Sequence, residues 1–148
     1  MQTNIAILKT WTFNILEEMC FLLPTEPEDT LYNPREGITV KIQAGNFFTV
    51  YLTFAKALSH EIASNSLGLP AEEISEELVH SSIKEMANII AGNFMNATNL
   101  PAVAHLSIPK ILDGGPPTIK ADAGESYESE TCFINNHPLH LTLIENEA

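Results

Sequence analysis

The stretch SSIKEMANIIAGN, from Ser81 to Asn93, decides how the rest of the chain is read. A helix advances about 100° per residue, so Val79, Ile83, Met86, Ile90 and Phe94 fall in one apolar stripe suited to packing on a sheet. Ser81, Glu85, Asn88 and Gly92 fall on the opposite side, with Ser82 nearer the edge. Residues three or four apart are neighbours on a helix, so Glu85 and Asn88 project from one surface. A solvated helix face usually carries long Lys, Glu or Arg side chains. This one is nearly smooth, with a carboxylate and a carboxamide standing among small residues. It reads either as an ordinary exposed pair or as a face that lies against another protein and reaches into its cleft.

Working outward, Ile5 to Leu23 reads as a first helix, with Ile5, Leu8, Thr12, Ile15, Met19 and Leu22 at spacings of three and four. Pro24 and Pro27 stop it, and a polar, proline-rich connector runs to Gly37. Ile38 to Ala44 and Phe47 to Phe54 alternate as two half-buried strands around a Gly45-Asn46 turn. Ala55 to Asn65 reads as a short helix ending near Gly68. Pro70 and Ala71 open the long helix, which reaches about Asn96, with Glu72 and Glu73 at its positive end.

Short strand-like pieces follow: Ala104 to Leu112, Thr118 to Ala121, Ser129 to Ile134 and Leu139 to Glu145. Asp113 to Pro117 is a turn, and Asn135-Asn136 supplies a hairpin turn. The expected fold is α/β (α+β): one domain over residues 1–148, with an antiparallel or mixed sheet and two long helices on one face. An internal pseudo-two-fold repeat is also suggested. NILEEMCFLL (Asn14 to Leu23) aligns with SSIKEMANII (Ser81 to Ile90), placing Glu18-Met19 on Glu85-Met86 and Phe21 on Asn88.

Composition narrows the function. Of 148 residues 45% are hydrophobic, as in a globular chain, and 19 acidic against 7 basic residues give a net charge of −12. A general electrostatic grip on nucleic acid or anionic membrane is therefore not expected. No run of 18 apolar residues exists, and MQTNIAILK lacks the basic leader of a signal peptide, so a cytoplasmic protein is expected. Cys20 and Cys132 could pair, but free buried thiols are the plainer reading. His137 and His140, with Cys132 nearby, do not make a convincing metal site, because the two histidines fall on opposite faces of one strand. The glycines of Asp113–Pro117 lack the Lys-Ser/Thr ending of a phosphate loop.

The chemistry open to Glu85 and Asn88 is orientation. The amide can donate and accept, and so hold a water in line with an electrophile. The carboxylate can pair with a partner's cation and fix a docked geometry. Together they suit an already labile bond rather than a stable ester.

Here the sequence resembles the CheC/CheX/FliY family of chemotaxis phosphatases, its CheX branch most nearly. The family's mark is Asp or Ser, three residues, Glu, two residues, Asn, and a proline downstream. Ser81, Glu85 and Asn88 match it, and Pro109 is the candidate proline, about two residues early. EMANIIAGN, LSIPKILDGG, the ITVKIQA…FFTVYLTF hairpin and the closing FINNHPLHLTLIE carry the likeness over roughly residues 5 to 145. The resemblance implies a phosphatase acting on the aspartyl phosphate of a CheY-like response regulator. Glu85 would clamp a lysine of the partner, Asn88 would place the attacking water, and Ser81 would support the helix face. Mg²⁺ would belong to the regulator and not to this chain. Some members carry two such sites; Phe21 stands where the second Asn would be needed, so one site is expected. Homodimerisation by joining sheet edges is implied in the same way. The alternative is a non-catalytic module that binds a response regulator or another chemotaxis or flagellar protein.

Overall fold

The structure, a computed structural model, describes residues 3–27, 33–98, 105–112, 115 and 125–146. Among the described residues three α-helices are present: α1 (Asn4–Cys20), α2 (Lys56–Leu67) and α3 (Glu76–Ala97). The strands are β1 (Pro24–Thr25), β2 (Ile38–Ala44), β3 (Phe48–Phe54), β4 (Lys110–Leu112), β5 (Glu125–Ile134) and β6 (His137–Asn146). They form one open sheet in the order β1-β5-β6-β3-β2-β4, with every neighbouring pair antiparallel.

One face of this sheet builds the core. Val40, Ile42 and Ala44 of β2, Phe48, Val50, Leu52 and Phe54 of β3, and Leu139, Leu141 and Leu143 of β6 alternate toward it. They join Leu8 and Leu16 of α1, Leu58 and Ile62 of α2, and Ile83, Met86, Ile90 and Phe94 of α3 in a single cluster. The whole expected α3 stripe is buried, and Phe94 meets Phe48 edge to face with ring centroids 5.1 Å apart. Thus α3 is held on β2 and β3, which leaves its other side free to carry chemistry. Cys20 and Cys132 are free thiols in the core, where burial pushes them up to about 11 and about 12 and so keeps them protonated. No helix among the described residues is long and apolar enough to cross a membrane.

Several boundaries differ from expectation for local reasons. The first helix ends at Cys20, short of Leu23. Phe21 turns left-handed (φ 57°, ψ 31°), its N–H donating to Glu17 O at 3.1 Å while Leu22 N–H reaches Leu16 O at 3.2 Å. Within the helix the buried face runs through Thr12, Leu16 and Cys20, which leaves Met19 at its edge, 38% exposed. Pro70 and Ala71 do not open the long helix. Ala71–Glu73 is a 3₁₀ turn, Ile74 is extended, and α3 begins at Glu76 because the Ser75 hydroxyl accepts a hydrogen bond from Leu78 N at 3.2 Å. Glu76 and Glu77, not Glu72 and Glu73, occupy the positive helix end.

The expected strand at Ala104 to Leu112 is reduced to a bridge at Leu106 and to β4. The hairpin turn at Asn135-Asn136 is as expected, with φ of 48° and 67°. Apart from Gly115, the turn at 113–117 and the strand at 118–121 lie outside the described residues.

The left-handed Phe21 is 80% exposed, so its ring contributes little to the core while its backbone is strained. Phe21→Gly is therefore expected to raise stability by about 1 kcal/mol in a denaturant melt. A loss of stability would show that the ring makes a contact this reading omits.

Candidate functional site

The site is built on the outward side of α3. Ser81, Glu85 and Asn88 are all exposed there, one turn above another, while Ser82 is buried against the core rather than lying at the edge. Among the described residues neither the Glu85 carboxylate nor the Asn88 carboxamide is engaged in a hydrogen bond or ion pair within the chain. Asn93, further along the same helix, instead turns its amide onto Ile89 O at 2.9 Å. The polar ends of Glu85 and Asn88 are thus free to meet something outside.

A second wall stands beside them. The segment from His105 to Pro109 is tied to β2 by Gly45 N–H to His105 O (2.9 Å), Ser107 N–H to Gln43 O (2.8 Å) and Gln43 N–H to the Ser107 hydroxyl (2.9 Å). These bonds continue the β2–β4 pairing and hold the segment along α3. Between segment and helix lies an open groove of about 480 Å³, lined by Lys84, Glu85, Asn88, Leu106, Ser107, Ile108 and Pro109. Pro109 therefore lines the same groove as the Glu–Asn pair although it comes about two residues early in the sequence pattern.

Ser81 is exposed on the same helix face but does not line the groove. Glu18 is exposed near the end of α1, and Phe21 lies beyond the helix, so those two do not share a helix face as Glu85 and Asn88 do.

Sequence reasoning missed Lys84 and Ile108. Lys84 is the residue just before Glu85 and borders the groove half-buried. Ile108 is 86% exposed, an apolar side chain on the groove wall that faces Glu85 and Asn88. Its one available signal was the LSIPK text itself, where an apolar residue precedes a proline that interrupts the strand. His137 Nε2 lies 3.1 Å from Glu61 Oε1, and His140 Nδ1 lies 2.7 Å from the Thr131 hydroxyl on the other face of β6. Burial holds His140 below the usual imidazole range.

Gly92 sits one turn beyond Asn88. A β-carbon placed there would meet Leu106 Cδ1 at 3.6 Å, ordinary contact distance. Gly92→Ala is expected to fit and to stabilise α3 by about 0.5–1 kcal/mol. A thermal melt checks this; destabilisation would mean that the helix and the 105–109 segment are closer than described.

The sequence profile of the family Chemotaxis phosphatase CheX matches residues 38–132, a span that includes both α3 and the groove wall. The fold is similar to that of chemotaxis protein CheX from Desulfovibrio desulfuricans, with a TM-score of 0.69, 16% identity, and coverage of 96% of this chain and 99% of that one. It is likewise similar to chemotaxis protein CheX from Vibrio vulnificus (TM-score 0.70, 17% identity, 97% of each chain). The CheX–CheY–BeF3–Mg²⁺ complex from Borrelia burgdorferi contains a further similar chain (TM-score 0.70, 15% identity, 99% of each chain). No curated protein sequence matches the chain. At these identities the solved structures speak for the fold, and the profile, matching well over half the residues, speaks for descent: the chain belongs to the CheX family of chemotaxis phosphatases.

Proposed function

We propose that this chain dephosphorylates the aspartyl phosphate of a CheY-like receiver, using Glu85 and Asn88 as a pair. The observation that carries the reading is the joint exposure of these two side chains on a groove that a docking protein can enter. Family membership and the similarity to a CheX held in complex with CheY, beryllium fluoride and magnesium support it.

In this reading Glu85 forms an ion pair with a lysine of the receiver and fixes the docked geometry. The Asn88 carboxamide holds a water behind the phosphorus, in line with the bond to the aspartyl oxygen. The water oxygen bonds to phosphorus as the phosphorus–aspartyl oxygen bond breaks. The products are inorganic phosphate, which keeps the water's protons, and a free aspartate carboxylate. The Mg²⁺ stays on the receiver and neutralises charge on the phosphoryl oxygens. Ser81 supports the helix face without touching the reacting atoms. An acyl phosphate is already labile, so placing the water suffices and no general base is required.

Glu85→Ala is expected to weaken binding of a receiver loaded with beryllium fluoride and Mg²⁺ at least tenfold, since one charged partner of a docked pair is lost. Calorimetric titration checks this, and unchanged affinity would remove the clamp from the mechanism.

A homodimer joined through sheet edges belongs to the same proposal. Along most of its length β5 has no partner on its outer side among the described residues, since β1 covers only Phe133 and Ile134. The β4 edge borders the groove, so β5 is the edge left for a second copy. Light scattering giving the mass of one chain would overturn the dimer.

A further inference from the structure

We propose that a collar of cations around the β4 edge draws an acidic, phosphorylated partner protein onto that edge; this rests on the phosphatase reading above and adds how the substrate is gathered. With a net charge of −12 the chain repels acidic proteins at long range. A protein that displays an aspartyl phosphate dianion, and the carboxylates that hold its Mg²⁺, stays net negative at the point of contact even with that Mg²⁺ and one lysine counted. Such a partner needs local compensation to dock.

The compensation is there. Of the 7 basic residues, Arg35, Lys41, Lys56, Lys84 and Lys110 line three neighbouring depressions around β4. Lys84 borders the Glu85–Asn88 groove. Lys41 and Lys110 border a second depression of about 260 Å³, which shares Ser107 and Ile108 with the first. Arg35 and Lys56 border a third with His80, one helical turn before Lys84. Glu36 and Glu76 also reach the third depression, and Glu85 the first; among the described residues no carboxylate lines the second.

The second depression is the telling one. Lys41 and Lys110 are direct partners in the β2–β4 ladder, an arrangement in which like charges destabilise the sheet. Among the described residues the ion pairs involve Lys9, His60 and His137, and none of these five cations. The Lys41 ammonium lies 5.9 Å from the centre of the Tyr51 ring, which holds the charge in place without neutralising it. A facing pair of cations with no ion pair among the described residues is suited to an anionic surface that covers it. Ile108, exposed between this pair and the groove, gives that surface an apolar anchor.

The test compares Lys41→Gln/Lys110→Gln with Thr10→Glu/Asn14→Glu, which makes the same change in net charge at exposed positions of α1. The probe is a CheY-like receiver phosphorylated in solution, and phosphate release gives kcat and KM at low and high salt. At ~25 mM salt the Lys41/Lys110 variant is expected to show KM raised about tenfold with kcat within about twofold of the parent. At ~500 mM salt the difference in KM should shrink below about twofold, because screening removes it. The α1 variant should match the parent, Lys41→Arg/Lys110→Arg should restore the parental KM, and the melting temperature of the Gln variant should not fall.

An active parent whose KM is untouched by the Gln substitutions would overturn the collar and leave the phosphatase reading standing. An equal effect from the α1 variant would overturn it in favour of net charge alone. A parent that neither binds nor dephosphorylates any receiver would overturn both.

Discussion

Asn88→Ala is expected to slow receiver dephosphorylation by about a hundredfold or more, with the fold intact. Its side chain is exposed and makes no hydrogen bond within the described chain, so removing it leaves no buried group without a partner. Alanine is the better helix former in mid-helix, so stability should hold or rise slightly. Binding of a receiver loaded with beryllium fluoride should change little, because the clamp is assigned to Glu85. The expected pattern is thus lost turnover, kept affinity and a kept melting temperature. Circular dichroism, titration and phosphate release separate the three. A variant as active as the parent would show that Asn88 does not place the water.

Phe94→Ala carries the largest expected cost in stability, about 3–5 kcal/mol. Phe94 is fully buried, and its ring meets Phe48 at 5.1 Å where α3 crosses the sheet. Its removal leaves a cavity beneath the helix that carries the site. Domains of this size are stable by roughly 5–15 kcal/mol, so the loss is a large share of the whole. At about 2–4 °C per kcal/mol the melting temperature should drop on the order of 10 °C. Below that temperature the folded fraction should retain Glu85 and Asn88 on the outer face, with activity falling in step with the folded population. A loss below about 1 kcal/mol would mean that α3 is anchored elsewhere.

What the sequence revealed follows the range of the forces involved. The stripe from Val79 to Phe94 was legible because one helix and one apolar layer decide it. The Asn135-Asn136 turn was legible because few residues other than glycine accept two positive φ angles in succession. The start of α3 was not: Pro70 suits a first turn, but the Ser75 hydroxyl offers the better cap, and the choice turns on one hydrogen bond. The end of α1 was misplaced because Leu22 continues the apolar spacing after the backbone has already turned at Phe21. In the site, Glu85 and Asn88 could be paired by periodicity alone. Lys84 and Ile108 could not be assigned to it, because their place depends on a distant segment being tied to β2 through Gln43, Ala44 and Gly45.

The central claim is that Glu85 and Asn88, standing on the open side of α3, act together on a partner's acyl phosphate. Its most direct measurement is the decay of a phosphorylated CheY-like receiver, followed by loss of the aspartyl phosphate with and without this protein. Decay that accelerates in proportion to catalytic amounts of the protein is the predicted result. Decay at the spontaneous rate, from a chain that nonetheless binds the receiver, would contradict it and leave a binding module in its place.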